Sequence, residues 1–296
     1  MRTLVAIVRL SRLKFLIGGF LSVALGTLVA RYEHHRFDLI AWIVAQCTVT
    51  IFQLMTHYSN DYFDQECDER SVRTPFSGGS GVLQSNELSA ILAARLALGA
   101  ASLGLLATIL VAIRFSPTAT ALALAIGILS WSYSAPPTRL LARGLGELTT
   151  ALVVAVLVPL FGYAMQAGAV NTRALLSTLP AACAMFAMML CVEIPDREAD
   201  SASGKANLLV RFGLSRTRRL IELCTLAIFA AAGVAAALRL VPATFAYFAL
   251  GTVPVAVLLW RSLERPGVRD AAIAARGVLL FAVTVACGAL GYAVAI

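Results

Sequence analysis

Residues 39–68 read LIAWIVAQCTVTIFQLMTHYSNDYFDQECD, an apolar segment that runs directly into an acidic cluster. The apolar part, residues 39–58, has the length of about 20 residues that a helix needs to cross a bilayer. Residues 60–68 then carry three aspartates and a glutamate. Carboxylates beside a membrane are costly unless they bind a positive charge. This stretch therefore predicts a transmembrane helix whose end belongs to a functional site.

The composition of the whole chain supports a membrane fold. Hydrophobic residues make up 59% of the 296 residues and charged residues 14%, and the mean hydropathy is +0.83. A soluble domain contains about 25% charged residues. We therefore expect an all-α polytopic membrane protein with a single domain over residues 1–296 and no extramembrane domain.

Nine apolar segments are long enough to be predicted as transmembrane helices of one bundle. They lie near residues 15–31, 39–58, 88–113, 118–135, 145–166, 174–193, 219–239, 243–262 and 271–296. A second acidic cluster, residues 196–200, follows the sixth segment, as the first follows the second. This pattern predicts a pseudo-repeat of two four-helix units, about 15–135 and 145–262, followed by the last helix.

The net charge of the chain is +8, and its basic residues lie mainly in short loops between apolar segments. We therefore expect no nucleic-acid partner and attribute the charge to membrane topology. Alternate loops contain eighteen Lys and Arg residues on the side of the N-terminus and five on the opposite side. Because Lys and Arg accumulate in cytoplasmic loops, we predict that the N-terminus and both acidic clusters are cytoplasmic. The high Ala and Arg content favours a bacterial inner membrane.

The spacing of the acidic residues indicates a metal site. If the second helix continues through the first cluster, its polar residues at i, i+4 and i+8 share one face; they are Asn60, Asp64 and Asp68. Asp196 and Asp200 have the same i, i+4 spacing. Like charges at this spacing repel each other unless a cation lies between them. Hard oxygen ligands suit Mg²⁺, which often shares phosphate oxygens with its protein site.

Basic and aromatic groups near the clusters could bind a diphosphate that such a metal holds. Arg73 follows the first cluster, Lys205 follows the second, and Arg139 lies in the loop after the fourth segment. Their side chains could donate to the diphosphate oxygens that the metal leaves free. Tyr133 could stack against a cation or an aromatic ring. The arginines could equally be ordinary positive-inside residues, and Tyr133 an interfacial tyrosine.

Two further features lie beside the first cluster. Gly78-Gly79-Ser80-Gly81 forms a flexible loop whose backbone amides could contact an anion, although a plain turn is the usual explanation. His57 precedes the cluster by one helical turn, where it is either a polar interface residue or a group that handles protons.

Together these motifs resemble the UbiA-type intramembrane prenyltransferase superfamily. Its first signature, Asn-Asp-x-x-Asp-x-x-x-Asp, is met at Asn60, Asp61, Asp64 and Asp68. Its second signature, Asp-x-x-x-Asp, is met at Asp196 and Asp200. The nine segments and the positions of both motifs also match, so the resemblance covers essentially the whole chain.

Within the superfamily, the chain is most similar to the 1,4-dihydroxy-2-naphthoate prenyltransferase branch of menaquinone biosynthesis. Residues 133–137, 143–147 and 204–213 support this similarity. The naphthoate enzymes often carry an asparagine-rich Arg-Asp run before the second motif, whereas this chain reads EIPD at 193–196. The acceptor therefore stays open between dihydroxynaphthoate and 4-hydroxybenzoate, homogentisate, a tetrapyrrole or a glycerol phosphate lipid.

The resemblance implies an enzyme that uses Mg²⁺ to transfer a polyprenyl group from polyprenyl diphosphate to an aromatic acceptor within the lipid bilayer. It implies Asp61, Asp64 and Asp196 as catalytic residues, with Asp61 orienting the acceptor or receiving its proton. The implied substrate-binding residues are Asn60, Arg73, Tyr133, Arg139 and Lys205. The implied metal ligands are Asn60, Asp64, Asp68, Asp196 and Asp200.

A cation-coupled membrane transporter is the alternative from a different functional class. Acidic residues inside transmembrane helices often mark ion pathways. In this chain, however, nine of the sixteen acids lie in or beside the two clusters at the ends of apolar segments. That distribution favours a site at the membrane surface over a pathway through it.

Overall fold

Helices are the only regular elements in the computed structural model, which describes residues 2–265 and 267–296. In chain order the α-helices are α1 (Arg2–Leu10), α2 (Leu13–Tyr32), α3 (Leu39–Phe63), α4 (Gln65–Arg70), α5 (Ala90–Arg114), α6 (Pro117–Ser132), α7 (Gly146–Leu152), α8 (Val158–Ala167), α9 (Thr172–Glu193), α10 (Arg197–Ala202), α11 (Leu208–Ala237), α12 (Ala243–Ala249), α13 (Val253–Glu264) and α14 (Asp270–Ala295). A π-helical turn, Val153–Leu157, joins α7 to α8. The all-α fold class is confirmed.

Eight segments of the described chain are long and apolar enough to cross a membrane. They are Leu13–Tyr32, Leu39–Phe63, Ala90–Arg114, Gly146–Ala167, Thr172–Ala202, Leu208–Ala237, Ala243–Glu264 and Asp270–Ala295. The fourth segment predicted from the sequence, 118–135, is the shorter apolar helix Pro117–Ser132 of 16 residues. Its length accounts for the difference between eight segments and the nine predicted.

Polar caps explain where several of these helices begin, because a side-chain oxygen there accepts a free backbone N–H of the first turn. Asp38 accepts from the N–H of Ala41 at the start of α3. Caps of the same kind start α5, α6, α9 and α11, at Ser89, Ser116, Asn171 and Asn207. The cap of α11 also serves the site described below, since Asn207 Nδ2 donates to Asp200 Oδ2 at 2.8 Å.

Two apolar cores hold the bundle together and meet where α2 crosses α8. One core lies mainly among α2, α9, α11, α12, α13 and α14, and the other among α3, α5, α6 and α8. A Cβ at Gly26 would lie 1.8 Å from the carbonyl oxygen of Pro159, and one at Gly162 would lie 2.7 Å from that of Val23. Such small residues let helix backbones approach closely in a membrane protein. The pseudo-repeat of two four-helix units stays a prediction.

Two helix boundaries differ from the sequence prediction. The second helix does not continue unbroken through the first acidic cluster, because α3 ends at Phe63 and Asp64 (φ −102°, ψ 8°) separates it from α4. The Asp64 side chain does not cap α4; its Oδ2 instead accepts from Asn60 Nδ2 and Lys205 Nζ. In addition, α11 begins at Leu208, before the predicted 219, and Gly213 interrupts it with φ 74° and ψ 164°. Glycine adopts this conformation without the steric cost that a side chain would bring.

Candidate active site

The two acidic clusters meet at one end of the bundle, because α3 and α9 both end there. Lys205 lies between them, with its Nζ 3.2 Å from Asp64 Oδ2 and 3.4 Å from Asp200 Oδ1. Cys67 adds a second link, since its Sγ donates to Asp200 Oδ1 at 3.3 Å and accepts from Ser203 Oγ at 3.2 Å. Residues more than 130 positions apart in the sequence thus form one group. We call Asn60, Asp61, Asp64, Asp68, Asp196, Asp200 and Lys205 the acidic site.

Asn60 connects the acidic site to the loop after α6. Its Nδ2 donates to Asp64 Oδ2 at 2.8 Å and to Ser134 Oγ at 3.1 Å. These bonds preserve the predicted i, i+4 contact between Asn60 and Asp64 although the helix ends at the latter residue. The amide nitrogen is therefore fixed inward, and the amide oxygen faces Arg12, whose Nη2 lies at 3.4 Å.

Residues 77–81, which we call the glycine loop, lie across both clusters. The N–H of Gly78 donates to Asp196 Oδ2 at 3.0 Å, and the N–H of Ser80 donates to Asp61 Oδ2 at 3.3 Å. Gly79 leaves room for a carboxylate, since a Cβ there would lie 2.1 Å from Asp68 Oδ2. The amides that the sequence offered as anion contacts therefore bind protein carboxylates.

Arg12, which sequence reasoning missed, forms a buried ion pair with Asp61. Ser80 Oγ donates to the same carboxylate, and Asp61 is only 2% exposed. Asp61, predicted to orient the acceptor or receive its proton, does not line the main cavity and is engaged by these two groups. No motif spacing indicated a role for Arg12, because it resembles any other positive-inside arginine that precedes a first transmembrane segment.

Burial and neighbouring charges shift the pKa values of Asp68 and Lys205 in the acidic site. Burial raises the pKa of Asp68 to about 6; Arg12 and Lys205 oppose the rise, while Asp64 and Asp200 add to it. Burial alone would lower the pKa of Lys205, but the carboxylates of Asp64 and Asp200 raise it above its ordinary value. Lys205 is therefore a permanent cation among the carboxylates.

The residues present fit a divalent metal that is shared with a phosphate ligand. Asp68 Oδ2 and Asp196 Oδ1 are buried without a hydrogen-bond partner in the described chain, so each retains lone pairs for a cation. Within residues 2–265 and 267–296, no three His, Cys, Asp or Glu side chains converge on one metal position. Mg²⁺ typically takes one or two carboxylates and completes its shell with water and phosphate oxygens. The five predicted ligands suit that kind of site, and their assignment stays a prediction.

The predicted substrate-binding residues differ in their distance from the acidic site. Arg73 lines a basic pocket of about 170 Å³ beside the glycine loop, together with Arg9, Arg12 and Lys14. Arg139 is exposed, and its side chain has no hydrogen bond or ion pair with any residue that the structure describes. The structure therefore brings Arg73 and Lys205 to the site and leaves Arg139 outside it.

An apolar cavity of about 280 Å³ opens at the acidic site and extends into the bundle. Asn60, Tyr133, Arg12 and His57 lie on its polar part. Its apolar walls include Phe52, Ile126, Val153, Met185, Met188 and Phe281. A polar head group at the acidic site could thus continue into an apolar chain between the helices.

Glu147, a residue that sequence reasoning also missed, positions the segment that carries Lys205. Glu147 is completely buried, and its Oε1 accepts the N–H of Leu208 at 2.6 Å. The N–H of Ala206 donates to the carbonyl oxygen of Ala142 at 3.0 Å. These contacts tie residues 206–208 to α7 and to the turn that precedes it. In the sequence, Glu147 is an isolated acid at the start of an apolar segment, and this pattern indicates an interface residue equally well.

Comparison with known proteins agrees with this architecture. The model of the UbiA prenyltransferase family matches residues 19–285. A curated relative, the 1,4-dihydroxy-2-naphthoate octaprenyltransferase of Bacillus subtilis (strain 168), is 23% identical over 205 residues. That match covers 69% of this chain and 65% of the relative's length.

Solved structures share the fold over nearly the whole chain. A structure of digeranylgeranylglyceryl phosphate synthase is 14% identical, with a TM-score of 0.68, and covers 99% of both chains. An apo UbiA homologue from Aeropyrum pernix K1 is 15% identical, with a TM-score of 0.68 and coverage of 95% of this chain and 96% of its own. A UbiA homologue from Archaeoglobus fulgidus, bound to GPP and Mg²⁺, is 15% identical, with a TM-score of 0.65 and coverage of 97% and 99%. Since the family model spans most of the sequence and the fold agrees from end to end, the chain is an integral membrane protein that belongs to the UbiA prenyltransferase family.

Proposed function

We propose that this protein transfers a polyprenyl group from polyprenyl diphosphate to 1,4-dihydroxy-2-naphthoate, with Mg²⁺ as cofactor, in menaquinone biosynthesis. One observation carries the proposal: the acidic site, in which Lys205 joins the two clusters, adjoins an apolar cavity through Asn60, which belongs to both. A polyprenyl diphosphate has the same two parts, an anionic head and an apolar tail. The Archaeoglobus fulgidus homologue supports this assignment, because its structure contains a prenyl diphosphate and Mg²⁺.

The diphosphate lies at the acidic site and the tail lies in the apolar cavity. Asn60, Asp64, Asp68, Asp196 and Asp200 would hold Mg²⁺, which when bound supplies positive charge to the diphosphate. Lys205 and Arg12 add fixed positive charge from the protein on the same side.

The reaction breaks the bond between C1 of the donor and its diphosphate oxygen, and the electron pair leaves with the diphosphate. Lys205 is preorganised by its two carboxylate partners and stabilises the negative charge that develops on the leaving group. The walls formed by Met185, Met188 and Phe281 exclude water, which would otherwise capture the allylic cation. A ring carbon of the acceptor then forms the new bond to C1, and the group on that carbon leaves as its bonding electrons return to the ring: a proton from an unsubstituted carbon, or carbon dioxide from the carbon that bears the carboxylate.

The Bacillus subtilis relative supports dihydroxynaphthoate as the acceptor. The likeness to digeranylgeranylglyceryl phosphate synthase supports a second candidate, a glycerol phosphate lipid. The two differ in chemistry at the attacking atom, since an aromatic ring attacks through carbon and a glycerol lipid through a hydroxyl oxygen.

The test is prenyl transfer by the purified protein in detergent. Geranylgeranyl or a longer prenyl diphosphate is supplied with dihydroxynaphthoate, 4-hydroxybenzoate, homogentisate or glyceryl phosphate lipid, in Mg²⁺ or EDTA. We expect a prenylated naphthoquinol that forms only with the metal present. A product with another acceptor would reject the menaquinone assignment, and no diphosphate release with any acceptor would reject the prenyl transfer itself.

A further inference from the structure

His57 presents an unused hydrogen-bond acceptor to the cavity. Its Nδ1 lies 2.9 Å from the carbonyl oxygen of Ser11. Because a carbonyl only accepts hydrogen bonds, Nδ1 carries a proton and donates it there. In the neutral ring, Nε2 then has a free lone pair. Among the residues that the structure describes, Nε2 has no hydrogen-bond partner, and His57 lines the cavity one turn before Asn60.

Lys14 presents a cation at the same mouth of the cavity. Its ammonium lies 5.3 Å from the centre of the Phe15 ring and 4.8 Å from the centre of the Phe76 ring. No acidic side chain of the described chain pairs with it, whereas Lys205 has two such partners. Lys14 lines both the apolar cavity and the basic pocket, so its charge is available to an anion in either.

Phe15 joins these two groups. Its ring meets His57 edge-on with 6.2 Å between centres, and it meets Phe76 edge-on at 6.1 Å. Phe15 also lines the cavity, so an aromatic ligand there can pack against its ring in the same edge-to-face manner. A hydrogen-bond acceptor, an aromatic wall and a cation are thus gathered on one part of the cavity.

A prenyl tail cannot bind through the hydrogen-bond acceptor or the cation, because it carries neither a hydrogen-bond donor nor a negative charge. In the proposed function the diphosphate binds at the acidic site, none of whose aspartates lines this cavity. A second substrate that combines an aromatic ring, a hydroxyl and a carboxylate would use all three groups at once.

We propose that Lys14, Phe15 and His57 form the acceptor subsite and select a hydroxylated aromatic carboxylic acid. The carboxylate binds Lys14, the ring packs against Phe15, and a hydroxyl across the ring donates to His57 Nε2. This proposal rests on the proposed function and names the acceptor class that the same site takes. It also assigns to His57 the contact with the acceptor that the family resemblance implies for Asp61.

The test uses three ligands that differ by one group at a time: 4-hydroxy-2-naphthoate, 2-naphthoate without the hydroxyl, and 1-naphthol without the carboxylate. Binding is measured by calorimetry in Mg²⁺ with a non-reactive thiolo analogue of the donor. We expect His57→Phe to weaken 4-hydroxy-2-naphthoate and 1-naphthol by about five- to tenfold, as loss of one hydrogen bond implies, and to leave 2-naphthoate unchanged. Lys14→Met should weaken both carboxylates by a similar factor and leave 1-naphthol unchanged.

His35→Phe is the matched control, because His35 packs against Tyr163 at the opposite end of the bundle. Equal weakening of all three ligands by His57→Phe, or no weakening of any, would overturn the subsite. Absence of saturable binding of 4-hydroxy-2-naphthoate to the unmodified protein would overturn it as well. Prenyl transfer is assayed in parallel, so turnover without the expected ligand pattern rejects the subsite alone, and lack of diphosphate release rejects the proposed function.

Discussion

At the scale of single residues, Lys205 balances the two carboxylates that face it. Its ammonium lies within 3.4 Å of both Asp64 and Asp200, and its own side chain is 12% exposed. Removing one partner from a buried charged group leaves the others uncompensated, typically at about 3–5 kcal/mol. We expect Lys205→Ala to lower the free energy of unfolding in EDTA and Mg²⁺ to recover part of the loss.

Thermal unfolding in detergent, with and without Mg²⁺, measures this effect. Arg36→Ala is the control, because Arg36 is exposed between α2 and α3 at the opposite end. An equal loss in EDTA and in Mg²⁺ would contradict the view that the metal and the lysine neutralise the same carboxylates.

Cys67, with Lys205, links Asp200 to the first cluster. Its thiol donates to Asp200 and accepts from Ser203, so it orients the carboxylate of a predicted metal ligand. Groups that orient metal ligands typically change metal affinity by about 10–100-fold when they are removed. We expect Cys67→Val to raise the Mg²⁺ concentration for half-maximal prenyl transfer by about tenfold, and Cys67→Ser to restore most of the affinity. An identical Mg²⁺ requirement in both variants would show that the thiol only fills space.

At the scale of helices, the crossing of α2 and α8 depends on two glycines, Gly26 and Gly162, at which a side chain would have no room. A Cβ at Gly26 would overlap the backbone of Pro159, which cannot move as a flexible side chain can. Overpacking of this kind costs about 1–3 kcal/mol or more. We expect Gly26→Val to destabilise the bundle and Gly99→Val, where no atom lies within 4 Å, to leave it far less affected. Unfolding by a denaturing detergent, followed by far-UV circular dichroism, compares the two.

Helix periodicity and motif spacing predicted most of the fold and part of the site. The sequence placed the apolar segments and the two acidic motifs because both depend on local pattern alone. It missed the break at Asp64, because the contact of Asp64 with Lys205 joins residues far apart in the chain. It missed the early start of α11, because an apolar count excludes the basic first part of that helix. It also missed the pairing of Arg12 with Asp61, because that contact depends on how the start of α2 packs on the end of α3. Arg139 fails to reach the acidic site for a related reason: the loop after α6 turns it outward.

At the scale of the whole molecule, the unequal distribution of Lys and Arg orients the bundle in the membrane. The acidic site lies at the end that receives the larger number of basic residues, which we expect to be the cytoplasmic end of a bacterial inner membrane. Nine crossings would place the C-terminus on the outer side. We expect a C-terminal alkaline phosphatase fusion to be active and a C-terminal green fluorescent protein fusion to be dark. The reverse pattern would mean either an even number of crossings, with Pro117–Ser132 not crossing, or the opposite orientation.

The glycine loop has a consequence for how the protein is made. Its contacts join Gly78 to Asp196, residues 118 positions apart in the chain. During synthesis, the first motif is therefore in the membrane well before its counterpart has been translated. A nascent chain that ends before Asp196 has only the first four residues of the acidic site, and Gly78 lacks its hydrogen-bond partner. We therefore expect the acidic site to form only after residues 196–205 have been made, so that unfinished chains lack it.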